Sequence, residues 1–141
     1  MFPAWFGNKG YFDPFFLGGG MTKKEREFWI FLDLLVAQHR IVTDRPKGSY
    51  HPEHPQIYYE LDYGYLEGTK TADGEEIDVW LGESGERDVV AAIATVDLAK
   101  RDVELKLILG ANEDELRTID EFYGKWGMQR GFLIRREKET C

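Results

Sequence analysis

Cysteine, histidine, positive charge and long apolar runs are all scarce in this chain of 141 residues. Its single cysteine is the terminal Cys141. That rules out an internal disulfide and suits a reducing, cytoplasmic setting. With only His39, His51 and His54 beside it, a Cys/His zinc centre lacks ligands. No apolar stretch approaches the ~20 residues that span a bilayer, so no membrane partner is expected. Lysine and arginine total 18 against 26 acids, a net charge of −8. Such a chain repels phosphate backbones and shows no basic patch, so no nucleic-acid partner is expected. It can still handle phosphate if divalent cations stand between its carboxylates and the anion.

Hydrophobic residues make up 43% and aromatics 14%, enough for one domain with a real core. Residues 1–20 carry Gly, Pro and aromatics with no period, and make a poor signal peptide. Met21 follows Gly18-Gly19-Gly20 and is a candidate start. Residues 1–21 therefore read as a disordered or non-native extension, with an aromatic arm as the alternative, and 22–141 as a single domain. Thr22 and Glu25 form a capping box that opens a helix near 22–38. Phe28, Phe31, Leu32, Leu35 and Val36 recur at threes and fours as its expected core stripe, which Trp29 and Ile30 widen. Strands are expected in "RIVT", "IYYELDYGYLEG", "IDVWLG", "DVVAAIATV", "VELKLILG" and "GFLIRR". A helix near 112–124 is capped by Asn112 and turns Leu116, Ile119, Phe122 and Tyr123 inward. The expected architecture is a small, mostly antiparallel sheet or barrel with helices at its ends.

The stretch "TADGEEIDVWLG" sets Asp73, Glu75, Glu76 and Asp78 within six residues. Like charges so close repel, and a turn needs only one or two of them. Further on, Asp97 and Asp102 flank four residues, the length of a common hairpin loop. If that loop closes, the two face each other with Cβ atoms roughly 5 Å apart and need a positive group between them, either Lys100 or Arg101 or a cation. Alternation puts Val103, Leu105 and Leu107 on one face and Asp102, Glu104 and Lys106 on the other. A solvated charge ladder would explain that pattern. Asp78, however, begins a strand expected to lie beside the one ending at Asp97, so carboxylates from both could converge as Mg²⁺ or Mn²⁺ requires.

The motif "DGEEID" followed by Val resembles the signature of family I soluble inorganic pyrophosphatases, Asp-Gly-Asp-Pro-(apolar)-Asp. "YYELDYGYLEG" resembles the tyrosine block before it, and "TDRP" an early acid-x-Pro step. The separation of Tyr63 from Asp73 and the later pair Asp97 and Asp102 match as well. The resemblance covers about residues 41–110 and implies a five-stranded closed barrel of the oligonucleotide-binding (OB) type with flanking helices, an α+β fold. It implies Mg²⁺, with Mn²⁺ as a substitute, and diphosphate as substrate; the expected assembly is a homo-oligomer. Carried across by position, Asp73, Asp78 and Asp102 would be core metal ligands, with Asp97 and Asp44 further ones. Glu75 would handle the proton of the attacking water beside Asp78, and Tyr63 would contact phosphate.

The departures are specific. Glu75 and Glu76 replace Asp and Pro, and Glu60 and Asp62 replace the Pro and Asn of the tyrosine block. The Asp-x-Lys step reads Asp102-Val103-Glu104, leaving Lys106 on the same strand face as the nearest lysine. The early basic clamp has no counterpart, so Lys47 or Arg45 would have to substitute. Two functions follow: Mg²⁺-dependent hydrolysis of diphosphate, or a non-catalytic barrel that binds metal or phosphate. "SYHPEHPQ" places His51 and His54 three apart between prolines, where a rigid turn explains them as well as a metal pair does. Tyr58, Tyr59, Tyr63, Tyr65 and Trp80 lack surrounding basic residues and read as core rather than as a base-stacking surface.

Overall fold

The computed structural model describes residues 20–138. The extension expected over 1–21 therefore lies, but for its last two residues, outside the described residues, as does Cys141. The described residues fall into two units, 20–26 with 137–138 and Glu27–Arg136. The second holds every strand, the helix α2 (Glu113–Lys125) and most of α1 (Lys23–Ala37). In the first, the Thr22 hydroxyl accepts from the Glu25 N–H at 3.1 Å and the Glu25 carboxylate from the Thr22 N–H at 2.9 Å. That is the expected capping box, and it satisfies two of the donors left open at a helix start.

Six strands follow: β1 (Ile41–Arg45), β2 (Asp62–Leu66), β3 (Ile77–Leu81), β4 (Val89–Asp97), β5 (Asp102–Leu109) and β6 (Gln129–Arg135). They make one sheet in the order β1-β2-β3-β5-β4-β6. Only β3 and β5 run parallel; every other pairing is antiparallel. The expected closed five-stranded barrel is not what forms. Closure requires the end strands to meet with matched length and stagger. Here β1 has five residues with a register break between Thr43 and Arg45 and pairs only with β2, while β6 pairs only with β4. The sheet stays open among the described residues.

The order also corrects a neighbour. Asp78's strand lies beside β2 and β5, not beside the strand that ends at Asp97. Because β3 and β5 are parallel, with Val79 opposite Leu107, Asp78 is drawn level with Lys106. At the far end of β5, the hairpin closes as expected and sets Asp97 opposite Asp102.

The α1 stripe is displaced from the expected one. Trp29 and Val36 are buried and Leu32 and Asp33 half-buried, while Phe28 and Phe31 stand out, Phe31 at 70% exposure. The polar anchor decides this. Asp33 accepts from the Val89 N–H at 3.0 Å and from Arg136 at 2.8 Å, which turns the Asp33 side toward the sheet. Helix α2 behaves as its periodicity predicts. Asn112 and Glu115 cap it reciprocally, and Leu116, Ile119, Phe122 and Tyr123 are its buried residues. Each such side chain contributes roughly 1.5–3 kcal/mol when fully buried, so this helix is a firm wall for whatever the sheet presents to it.

Gly64 lies opposite Thr43 on one side and Val79 on the other. A Cβ there would come within 1.9 Å of the Val42 carbonyl oxygen, a backbone atom that cannot swing aside. Gly64→Ala should therefore push β1 off β2 and cost about 3 kcal/mol, at the upper end for overpacking. The change would be read as a lower urea midpoint at unchanged slope; an unmoved midpoint would show that β1 yields freely.

Candidate active-site cleft

An aromatic floor underlies a polar cleft. Tyr59, Tyr63, Trp80, Phe122 and Tyr123 lie with ring centroids about 5–6 Å apart in tilted and edge-to-face pairs. The Trp80 indole N–H donates to the Tyr123 hydroxyl at 2.9 Å, which satisfies both polar ends inside the core. Above this floor opens a cleft of about 670 Å³. Asp44, Glu75, Asp78, Asp97, Tyr63 and Lys106 all line it, as do Arg45, His51, His54 and Lys100.

The innermost charge is Lys106, 5% exposed. Its ammonium reaches the Asp78 carboxylate at 2.9 Å, Glu104 at 3.0 Å and the Tyr63 hydroxyl at 3.2 Å. Tyr63 in turn donates to the same Asp78 oxygen at 2.5 Å. Burial pulls against the charge on Lys106, but Tyr123, Asp78 and Glu104 outweigh it and hold the amine above its ordinary pKa. Burial, then the neighbouring Tyr123 and Asp78, push the Tyr63 phenol well above its usual range. Burial does the same to Tyr123.

β5 inverts the solvated-ladder reading. Its apolar residue Val103 is 73% exposed, whereas Asp102 and Glu104 are half-buried and Lys106 is buried. A chain turns its charges inward and its valine outward only when the inner surface supplies compensating partners. Here it does. Asp73 arrives from the loop before β3 and joins Asp102 and Glu104, and one carboxylate oxygen from each lies within 4.8 Å of the others. The three line a second hollow of about 370 Å³, linked to the first through the Glu104–Lys106 contact.

Asp73 is held by its own loop. It accepts from the Thr71 hydroxyl and from the Glu75 N–H, at 3.1 Å in the latter case, and Gly74 turns between them at φ +90°. The Thr71 bond first, then the Glu75 amide, hold the Asp73 carboxyl below its usual range. An all-oxygen set of carboxylates suits a hard divalent cation such as Mg²⁺ or Mn²⁺. So the donor chemistry fits the expected ion at this group.

The remaining expected residues are placed differently. Asp97 faces Asp102 across the ladder, but its Oδ1 is occupied by the N–H groups of Ala99 and Lys100, both at 3.0 Å. The Lys100 ammonium lies 3.7 Å from Asp102 and 3.9 Å from Glu104, so it serves the Asp102 side of the pair. Asp44 is exposed and pairs with Arg45 at 3.3 Å. The Lys47 ammonium pairs with Glu83, and its backbone N–H with Asp62 at 2.7 Å. Glu75 is exposed at the cleft wall beside Glu76. His51 and His54 sit with rings 4.9 Å apart, and His51 Nδ1 accepts from the Glu53 N–H at 3.0 Å. Burial, then Arg45 and His54, lower the His51 pKa. Arg45 Nε is buried without a partner, one of two such side-chain atoms among the described residues.

Glu104 lies outside the family motif, where it is a departure from a lysine, yet it joins the candidate ligand group. The alternation that put it on one face with Asp102 and Lys106 was the signal for it.

The open mixed sheet and helix α2 frame an acid-lined cleft, and the sequence assigns the family. The sequence model for inorganic pyrophosphatase matches residues 38–129. That span is most of the chain, which belongs to the inorganic pyrophosphatase family. The crystal structure of an inorganic pyrophosphatase from Neisseria gonorrhoeae is similar at 15% identity, covering 68% of this chain and 81% of that one, with a TM-score of 0.47. No curated protein matches the sequence. No helix among the described residues is long and apolar enough to cross a membrane.

The raised pKa values set an alkaline limit. Below pH 10 both the folded and the unfolded chain keep the phenol protons of Tyr63 and Tyr123 and the charge on Lys106. Above it the unfolded chain releases these protons first, from ordinary values of 10.0 and 10.5, while the fold retains them. The folded state then binds more protons, so stability falls as pH rises from about 10 through the folded values. Urea midpoints between pH 8 and 11.5 should drop above pH 10, and Tyr63→Phe with Tyr123→Phe should flatten part of that limb. A flat profile in the parent chain would contradict the burial of these groups.

Proposed function

We propose that the chain hydrolyses diphosphate to two phosphates with Mg²⁺ as the cofactor and Mn²⁺ as a substitute. The observation that carries the reading is the convergence of Asp73, Asp102 and Glu104 beside the cleft, in a member of this family. These three carboxylates would hold an ion, with Asp44, Asp78 and Asp97 on the lining of the neighbouring cleft. A bound divalent cation supplies a water of lowered pKa and neutralises charge on the phosphoryl oxygens.

The residues do the rest. Glu75, exposed at the cleft wall, accepts the proton of the attacking water, and Asp78 lines the same cleft as its catalytic partner. Tyr63 and Lys106 present a hydroxyl and an ammonium toward the anion from the floor. Arg45 and Lys100 lie on the same cleft and can take the part of a basic clamp, since Lys47 is drawn aside to Glu83. A small, highly charged phosphoanhydride matches a cleft whose walls alternate acid and base.

Phosphate release from diphosphate should require Mg²⁺. Asp102→Asn and Glu104→Gln should each lower it at least ~100-fold while the far-ultraviolet circular dichroism is kept, and Glu75→Gln should lower it by ~10²–10⁴-fold with ion affinity retained, as for loss of a general base. A parent chain that releases no phosphate from diphosphate at any Mg²⁺ concentration would instead support a non-catalytic module that binds metal or phosphate.

A further inference from the structure

Lys106 stands between two carboxylates that a divalent ion would otherwise bridge. Its ammonium lies 2.9 Å from Asp78 Oδ2 and 3.0 Å from Glu104 Oε1, with the Tyr63 hydroxyl 3.2 Å away. A cation shared by Asp78 and Glu104 would occupy the space the ammonium already fills. It would also meet the lysine's charge at short range in a poorly solvated place, where repulsion is strong. Glu104 is common to both arrangements, since it belongs to the group with Asp73 and Asp102. An ion at that group therefore has Lys106 as its direct neighbour on the Asp78 side.

Lys106 also lines the cleft, on a flexible four-carbon stem whose three donors are compact and can turn to a new acceptor. A phosphate-bearing anion entering the cleft offers oxygens that compete with Asp78 for those donors. We infer that Lys106 is a tethered counter-cation that keeps Asp78 from divalent ions until an anion of the diphosphate class draws the ammonium away. The second ion and the anion then enter together, and each strengthens the other's binding, as linkage requires. Lys106 acts here as a positioning residue toward Asp78, a role separate from contacting phosphate. The inference rests on the proposed function and deepens it.

The test counts Mn²⁺ bound per full-length chain by electron paramagnetic resonance and calorimetry, with and without non-hydrolysable imidodiphosphate. The parent should bind one ion tightly alone and a second only with the anion, with affinity for the second raised at least ~10-fold. Lys106→Met should bind both ions without anion, and Lys106→Arg, which keeps the charge, should behave as the parent does. A purely structural lysine would not change the ion count. If Lys106→Met does not fold, Lys106→Gln, which keeps a polar end beside Asp78 without the charge, takes its place and should likewise bind both ions without anion. Two ions in the parent without anion, or a count the anion leaves unchanged, would overturn the inference; if Mg²⁺-dependent phosphate release survives in that case, the functional reading stands without it. A parent that binds no Mn²⁺ in either condition would overturn both.

Discussion

Much of this structure depends on a single buried amine. Lys106 neutralises Asp78 and Glu104 from the middle of β5, and without it those carboxylates would face each other and the acids beyond them in a half-buried space. Removing one partner of such a pair costs far more than the pair contributes, because the remaining charge is left without compensation. The parallel pairing of β3 with β5 delivers this contact, since Val79 opposite Leu107 is the register that sets Asp78 level with Lys106. The aromatic floor completes the arrangement. Tyr63 bonds the same Asp78 oxygen and packs its ring on Trp80, which is tied to Tyr123 of α2.

From that centre outward the charges become more exposed and their partners more local. Asp73 and Asp97 are both fixed by amides of their own loops, so they are aimed by short-range geometry rather than by the core. Asp44 and Lys47 pair with Arg45 and Glu83 at the rim. A site of this kind has a rigid interior and an adjustable edge. The rim can exchange its ion pairs at little cost, whereas the interior cannot.

The outer surface of the same strands is unusual in the opposite sense. Val103 on β5 and Phe132 on β6 stand in solvent, at 73% and 71% exposure, while the charged residues of β5 turn inward. Phe31 of α1 is exposed as well. At this end the sheet thus turns charges toward the cleft and leaves apolar side chains outside, while Leu107 and Leu109 further along β5 are buried. Polar partners inside the cleft outweigh the cost.

Local rules make much of this legible in the sequence. The capping box at Thr22, the cap at Asn112 and the four residues between Asp97 and Asp102 are decided by neighbours three to five positions apart, so the chain determines them by itself. The order of acids in "DGEEID" and their relation to Tyr63 carried the family for the same reason: the motif is contiguous. What only the tertiary structure decided depends on partners distant in sequence. Whether the sheet closes rests on β1 meeting β6, and periodicity says nothing about that meeting. The α1 face was set by Asp33 reaching Val89 and Arg136, an anchor more than fifty residues away that outweighed the apolar stripe of Phe28 and Phe31. Which carboxylates converge was set by strand order. With β5 rather than β4 beside β3, Asp102 and Glu104 gather with Asp73, Asp78 goes to Lys106, and Asp97 is left to its own turn, because side chains on one strand reach only the strands paired to it.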